Sequence, residues 1–144
     1  MEVKQLTVTI EDNASAKLTE ITNILAKNGI NIRVLSLSDG SAPDTLRIIV
    51  NDTGKAEQVL LENGFMVDES DVLVLEVPDK PGGLAAALDA LKETGVNIEY
   101  IYAFSQRGGE AGLLIFRFDA QTTALKAFQK AGLHILSCEE VCSF

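Results

Sequence analysis

The fold is decided by one stretch, Val77-Pro78-Asp79-Lys80-Pro81-Gly82-Gly83-Leu84, taken together with the segment Gly95-Val96-Asn97-Ile98 that follows it. An apolar run leads into the first stretch, a helix-like segment follows it, and eighteen residues separate Asp79 from Asn97. The first half of the chain has the same layout, because eighteen residues also separate Asn13 from Asn31. The halves are offset by 66 residues. The sequence therefore predicts an internal duplication, and the repeated unit sets the fold.

Size and composition limit what the chain can be. Its 144 residues, 47% of them hydrophobic and 6% aromatic, suffice for one domain or two very small ones with an aliphatic core. The net charge of −9 opposes binding to a phosphate backbone, so we expect no nucleic-acid partner. No apolar run approaches the roughly 18 residues of a membrane span, and the N-terminus has no signal-peptide pattern. We expect a soluble, cytoplasmic protein with no membrane partner.

The first half has the pattern β-α-β-β-α-β. Leu6, Val8 and Ile10 alternate with polar residues, as in a half-buried strand, and the next segment has the apolar face of a helix. We expect Ser15 to cap this helix and Asn28-Gly29 to end it. The further predicted elements are strands over 31–38, with a bulge over 35–37, and 46–50, a helix over 55–62 capped by Thr53, and a strand from 65.

The second half repeats this order. We expect the helix over 84–94 to bury Leu84, Leu88 and Leu91, with Pro81 in its first turn. The other predicted elements are strands over 72–77, 96–104, 113–118 and 133–141, a helix over 122–130, and turns over 39–44 and 106–110. The only boundary between the halves is the polar run 68–71. We therefore expect two units, 1–70 and 71–144.

A β-α-β-β-α-β unit builds an antiparallel sheet with both helices on one face, the ferredoxin-like arrangement. The predicted fold class is α+β, with two such units in tandem. The other face and the edges of each sheet remain open, and exposed edges favour association. We expect a homodimer.

The turn after the first strand of each half is the candidate site. In Asp79–Gly83 the glycines let a ligand approach the backbone, and the N–H groups of the first helical turn favour an anionic group. Asn97 lies at the start of the next strand, which is at the other end of the sheet within one unit. Two units meeting in opposite senses would bring the turn and the amide together. A carboxylate on N–H groups, with Asp79 facing an ammonium, would make an amino-acid site.

The two quoted stretches, their spacing and the duplication resemble the ACT domain over essentially the whole chain. That family is a small regulatory module which, in many metabolic enzymes, binds amino acids at interfaces between domains. In members similar to serine-sensing ACT domains, two Asn positions touch the effector, one in the turn and one in the Gly-x-Asn-Ile segment. The matching positions are Asn13 and Asn31 in the first half and Asp79 and Asn97 in the second. The resemblance implies these ligand-binding residues: Asn13, Asn31, Asp79, Lys80, Pro81, Gly82, Gly83, Asn97 and Ile98.

The first half departs from the family pattern. Ser15 and Ala16 replace the Pro and Gly of the turn, and Ile10 lies three residues before Asn13 whereas Val77 lies two before Asp79. The Cβ of Ala16 stands where a ligand would approach the backbone. We therefore interpret the first turn as a degenerate copy and the second as intact.

Plainer roles compete with ligand binding at each position. Asn31 and Asn97 could satisfy backbone groups at a helix-to-strand turn, Asp79 could cap the next helix, and Lys80 could be a solvated charge. Pro81 and Gly82 suit a turn in either case. On the following strand, Tyr100, Tyr102 and Phe104 alternate on one face, which favours sheet packing over a ligand cage.

Catalysis and metal binding have little support. The sequence has no nucleophile–base set in a helpful arrangement and no phosphate-binding loop. His134, Cys138 and Cys142 have a spacing that would serve a metal on a helix but not on a strand, and we predict a strand there. We expect reduced structural cysteines, no metal and no cofactor.

The sequence predicts a non-enzymatic regulatory protein. It would bind a small amino acid or related carboxylate at ACT–ACT interfaces and signal to a partner enzyme. The alternative is an assembly module that has lost its ligand and only mediates protein interaction.

Overall fold

The computed structural model describes residues 2–38, 43–105 and 109–143. The predicted turns over 39–44 and 106–110 fall largely outside the described residues. The chain divides into two compact units, Lys4–Ser70 as the first and Asp71–Phe144 with Met1–Val3 as the second. Within the described ranges, no helix is long and apolar enough to cross a membrane.

The predicted α+β fold is confirmed, and the β-α-β-β-α-β order occurs twice. The elements are β1 (Val3–Ile10), α1 (Ala14–Lys27), β2 (Ile32–Leu37), β3 (Asp44–Val50), α2 (Thr53–Glu62), β4 (Met66–Pro78), α3 (Gly83–Asp89), β5 (Ile98–Ser105), β6 (Ala111–Phe118), α4 (Gln121–Lys130), β7 (His134–Ile135) and α5 (Cys138–Ser143). One strand, β4, ends the first unit and begins the second.

In the first unit, β3 lies between β1 and β2 and runs antiparallel to both, with Leu6 and Leu35 on either side of Ile48. The helices α1 and α2 contact each other and cover one sheet face, where the buried aliphatic side chains form the core. A β-bulge lies between Ile32 and Val34. The predicted bulge over 35–37 is therefore wrong by about three residues.

The second unit repeats this plan. β4 is paired with β6 on one side, Leu75 opposite Leu114, and with β7 on the other, Leu75 opposite Ile135. β5 pairs with β6 and has a bulge between Ile98 and Tyr100, which is 66 residues after the bulge of the first unit. Three buried aromatic rings fill the core, those of Phe116, Phe118 and Phe128.

The helix ends confirm the predicted Gly29 and correct the predicted caps. Gly29, Gly64 and Gly132 follow α1, α2 and α4 with positive φ, as helix-terminating glycines do. Ser15 is not a cap, because α1 begins at Ala14 and its N-cap is Asn13. Asp52, not Thr53, caps α2, since its carboxylate accepts a hydrogen bond from the Lys55 N–H at 3.2 Å.

The buried face predicted for α3 is wrong at two of three positions. Leu84 and Leu88 are 44% and 37% exposed, whereas Gly83, Ala87 and Leu91 are buried. A Cβ on Gly83 would collide with the carbonyl oxygen of Pro78. Because this close approach turns the glycine towards the sheet, the residues four and eight positions later face the core and the leucines beside them do not.

The predicted strand over 133–141 is also wrong. β7 has only two residues, and α5 follows after Ser137. The Ser137 hydroxyl accepts from the Glu140 N–H at 3.2 Å, and the Glu140 carboxylate accepts from the Ser137 N–H at 3.0 Å. This reciprocal pair is a capping box, which satisfies two donors at the start of a helix.

Candidate functional site

The Asp79–Gly83 turn is tied to its own unit by backbone hydrogen bonds. The N–H of Asp79 donates to the Glu110 carbonyl at 2.8 Å, and that of Lys80 donates to the Pro78 carbonyl at 2.9 Å. The Gly83 N–H donates to the Lys80 carbonyl at 3.1 Å. These three donors are therefore already used, and the predicted ligand would meet the other backbone groups and the exposed side chains of the turn.

Two structural roles considered for the side chains of this turn are not observed. Asp79 does not cap α3, because the N-cap is Gly82, whose φ is 92°. Pro81 lies in the turn before the helix and not in its first turn. Asp79, Lys80 and Pro81 are all exposed. Gly83, in contrast, is required by the packing of α3 against Pro78 whether or not a ligand binds.

Asn97 forms a clamp with Asp119 across the end of the β5–β6 pair. The Asn97 N–H and side-chain amide donate to the two Asp119 carboxylate oxygens at 2.9 and 3.1 Å, and the Asp119 N–H donates to the Asn97 carbonyl at 3.1 Å. These bonds stabilise the ionised carboxylate. The backbone N–H of Asn97 and then its side-chain amide lower the pKa of Asp119 below its ordinary value.

The first unit has the same clamp. The Asn31 N–H donates to the Asn51 side-chain oxygen at 2.9 Å, and the Asn51 N–H donates to the Asn31 carbonyl at 3.2 Å. Asn31 thus secures the start of an edge strand through its backbone groups, whereas Asn97 also uses its side-chain amide. The Asn97 side chain therefore has a structural role, and the Asn31 side chain lies at the surface.

The turn and Asn97 lie at opposite ends of the second unit. Pro78 is opposite Ala111 at the start of β6, and Ile98 is opposite Phe118 at its end. The first and last of the eight residues of β6 are seven steps of about 3.4 Å apart, so about 24 Å separates the two ends. No small ligand can touch both within one unit, as the topology predicts. Ile98 is 39% exposed beside Asn97.

In the first turn, Asn13 has a left-handed backbone, with φ 54° and ψ 53°, and its side chain makes no capping hydrogen bond. Its carbonyl accepts from the Lys17 N–H at 3.0 Å. Left-handed backbone is tolerated by asparagine better than by most residues. The Asn13 side chain is exposed and uncommitted to the helix, so the degenerate turn still presents an amide.

The C-terminal segment places His134 against carboxylates and not against the cysteines. The His134 Nε2 lies 3.0 Å from a Glu140 Oε2 and 3.7 Å from a Glu76 Oε2. The Ser137 backbone N–H, followed by His134, lowers the pKa of Glu140. Cys138 and Cys142 lie on α5 and form no disulfide bond. Within the described ranges, no group of three His, Cys, Asp or Glu side chains could hold a metal ion.

Sequence reasoning missed Asp119 and Asn51, the partners of the two asparagines. A signal was present, because each is the polar residue that directly follows the returning strand of its half. It also missed the exposure of several apolar side chains. In the second unit, Leu84, Leu88, Ile98 and Ile101 are each more than a third exposed.

Comparison with known proteins shows which family the repeated units resemble. The model of a family described as an ACT domain pair matches residues 1–142. The solved structure of protein BT0572 from Bacteroides thetaiotaomicron matches with a TM-score of 0.92 at 31% identity, over 100% of this chain and 98% of that one. No curated protein matches the sequence.

Regulatory subunits of aspartate kinase have the same fold. That from Thermus thermophilus, in a ligand-free form, matches with a TM-score of 0.61 at 20% identity, over 89% of this chain and 91% of that one. The aspartate kinase of Clostridium acetobutylicum matches with a TM-score of 0.56 at 16% identity, over 90% of this chain but 33% of that one. These two comparisons establish the fold alone.

Proposed function

Because the chain belongs to the ACT domain pair family, we propose that it is a regulatory protein that binds a small amino acid or related carboxylate and signals to a partner enzyme. The observation that carries this proposal is the Asp79–Gly83 turn. It keeps its glycines and presents Asp79 and Lys80 to solvent without using either side chain to cap the helix. Both charged side chains are therefore available to a ligand.

The chemistry of the turn suits an amino acid. The Asp79 carboxylate would bind the ammonium, and the Lys80 ammonium would bind the carboxylate, each by a charge-assisted hydrogen bond. The backbone at Gly82 has no Cβ, and space around that position is open. A ligand could therefore approach the main chain there.

The site is completed by a second ACT unit. Since about 24 Å separates the turn from Asn97 within one unit, a ligand that touches both must lie between two units. Such a ligand binds one packing of the units better than another, and this differential affinity shifts the population towards that packing. A homodimer would supply the additional units, and the partner enzyme would respond to the favoured packing.

A second candidate function is an assembly module without a ligand. Two observations favour it. The Asn97 amide is already bound to Asp119, and four apolar side chains of the second unit are exposed. Exposed apolar groups of this kind mark protein interaction surfaces when they are contiguous.

Thermal unfolding with each of the twenty amino acids, with gel filtration alongside, separates the two functions. A ligand at 100 times its Kd adds about 2.7 kcal/mol. At roughly 2–4 °C per kcal/mol, this raises Tm by several degrees. Asp79→Ala should abolish the shift, and Asp89→Ala, an exposed acid on α3, should not. No shift with any amino acid would reject the sensor in favour of the assembly module, whereas a shift that survives Asp79→Ala would place the ligand away from this turn.

A further inference from the structure

The second unit has an open groove between its two helices. The groove has a volume of about 590 Å³ and lies between the end of α3 and one side of α4. Small side chains form its floor and charged ones its rim, and the residues that matter here are Ala90, Ala127, Ala131, Glu93, Lys126 and Lys130. The volume falls within the roughly 300–1,000 Å³ of ligand pockets, so the groove has room for several side chains of a partner.

The first unit closes the corresponding gap with its own side chains. Ile24 stands 66 residues before Ala90, and Val59 stands 68 residues before Ala127, which is also the offset between the starts of α2 and α4. All four residues are half-buried, and Ile24 and Val59 pack against the core of the first unit. α1 and α2 contact each other more than α3 and α4 do. Two alanines therefore leave open a gap that the same fold can fill by itself.

The shape of the groove fits a helix. Thr123, Ala127 and Ala131 are spaced four residues apart along α4 and all line the groove. Ala131 still has right-handed helical backbone, with φ −78° and ψ −2°, so the row continues to the end of the helix. Helices pack by inserting the ridge formed by such a row of large side chains into the groove formed by another row. A row of small side chains on α4 can therefore accept the ridge of a second helix.

The charges on the rim select the kind of helix. Lys126 and Lys130 are exposed and one turn apart on α4. Among the described residues, neither ammonium group forms a salt bridge. The chain has 21 acidic and 12 basic residues, so most of its surface repels an acidic partner, and this pair of lysines attracts one locally. Glu93, on the α3 side of the groove, repels acidic side chains from that side.

We propose that this groove docks an amphipathic helix of a partner protein, one whose apolar face is flanked by acidic residues. Leucine-sized side chains of that helix occupy the gap over Ala90 and Ala127, as the first unit's own side chains occupy its gap. The acidic side chains pair with Lys126 and Lys130 by charge-assisted hydrogen bonds. This inference rests on the proposed function in one respect, namely that a regulatory protein contacts the enzyme it controls. The groove begins at Ala90, which caps the C-terminal end of α3, whereas the Asp79 turn precedes this helix.

Three fluorescently labelled, stapled helical peptides test the proposal by anisotropy titration with the full-length protein. The first has a row of leucines spaced four residues apart and flanked by glutamates. In the second, lysines replace the glutamates, and in the third, serines replace the leucines. The first peptide should bind at least about ten-fold more tightly than either of the others, because only it matches both the gap and the lysines.

A groove-filling variant tests the location. Ala90→Ile combined with Ala127→Val gives the second unit the side chains of the first, so binding of the glutamate-flanked peptide should weaken at least about ten-fold. Ala26→Ile combined with Ala86→Val adds the same groups at exposed helix positions outside the groove and should leave binding unchanged. Gel filtration of the groove-filling variant is run alongside. A change in its oligomeric state would assign the groove to a second copy of this chain and would overturn the proposal.

A charge-reversed variant keeps the test decisive if the groove-filling variant does not fold. Lys126→Glu combined with Lys130→Glu should reverse the preference, so that the lysine-flanked peptide binds more tightly than the glutamate-flanked one. Asp79→Ala should leave peptide binding intact, so that the docking groove and the sensor turn can fail separately. Equal binding of the two charged peptides to the parent protein, no binding of the glutamate-flanked peptide, or binding that survives filling of the groove would overturn the proposal.

Discussion

At the residue scale, two glycines with different surroundings test how tightly the second turn is packed. Gly83→Ala places a Cβ against the Pro78 carbonyl oxygen, and overpacking of this kind costs about 1–3 kcal/mol. Gly54 lies in α2 with no atom within 4 Å of an added Cβ, so Gly54→Ala should stabilise by about 0.5–1 kcal/mol. Urea denaturation of both variants measures the difference. Equal effects would mean that the helix does not approach the strand at Gly83.

Protonation of Asp119 at acid pH should weaken the Asn97 clamp. The N–H and amide of Asn97 lower the folded-state pKa of Asp119 below its ordinary value of 3.8. The stabilisation is therefore complete above the unfolded pKa, near 3.8, and is lost as pH falls through the lower folded pKa. Asp119→Asn should lower Tm at pH 7, and the difference from the parent protein should shrink below pH 3.8.

Thermal unfolding across this pH range measures the change, and a ¹³C NMR titration of the Asp119 carboxyl measures the pKa itself. Asp89→Asn is the control, since that carboxylate is exposed and belongs to no clamp. A difference in Tm between Asp119→Asn and the parent protein that stays constant from pH 7 to pH 3 would contradict the assignment.

At the scale of elements, α3 and the turn after it have a defined buried side. Leu91 is 7% exposed and Leu88 is 37% exposed. Leu91→Ala should destabilise by about 2–5 kcal/mol because it leaves a cavity, whereas Leu88→Ala should cost less than about 1 kcal/mol. Urea denaturation midpoints distinguish them. If Leu88→Ala were the more costly change, Leu88 and not Leu91 would lie on the buried side of this segment.

Most elements could be predicted because their signals are local and repeated. The alternation of apolar and polar residues along the strands and the glycines after the helices are local patterns. The 66-residue offset is found by comparing the two halves of the sequence. α5 was missed although its capping box, Ser137 to Glu140, is a local signal. The apolar residues Leu133, Ile135 and Val141 led to the prediction of a strand. A short apolar run alone does not distinguish a strand from a helix.

The segments of the candidate site can be singled out in the sequence, but their contacts cannot. The Asp79–Gly83 turn and the Asn97 segment have a distinctive composition and spacing. The Asn97–Asp119 clamp joins residues 22 positions apart, so it depends on the register of β5 against β6, which no local pattern specifies.

At the scale of the whole molecule, excess negative charge acts on both stability and binding. The chain has 21 acidic and 12 basic residues. In the described ranges, two of the salt bridges made by lysine or arginine are Lys4–Glu69 and Arg117–Glu99, each with an N···O distance of 3.5 Å. Both pairs are largely exposed, so each contributes about 0–1 kcal/mol to stability. Weak pairs of this kind do not offset the mutual repulsion of the surplus carboxylates. The same field disfavours anionic ligands near the surface.

Salt should therefore stabilise the protein. Between 0.01 M and 1 M sodium chloride the Debye length falls from about 30 Å to about 3 Å, which screens repulsion among exposed charges. Asp68 lies in the acidic run 68–71 and is exposed, so Asp68→Asn should raise Tm at low salt by roughly 1–2 °C. That advantage should disappear at 1 M salt, and potassium chloride should act like sodium chloride because screening depends on ionic strength. If Tm falls with added salt, attractive ion pairs and not repulsion dominate the electrostatics.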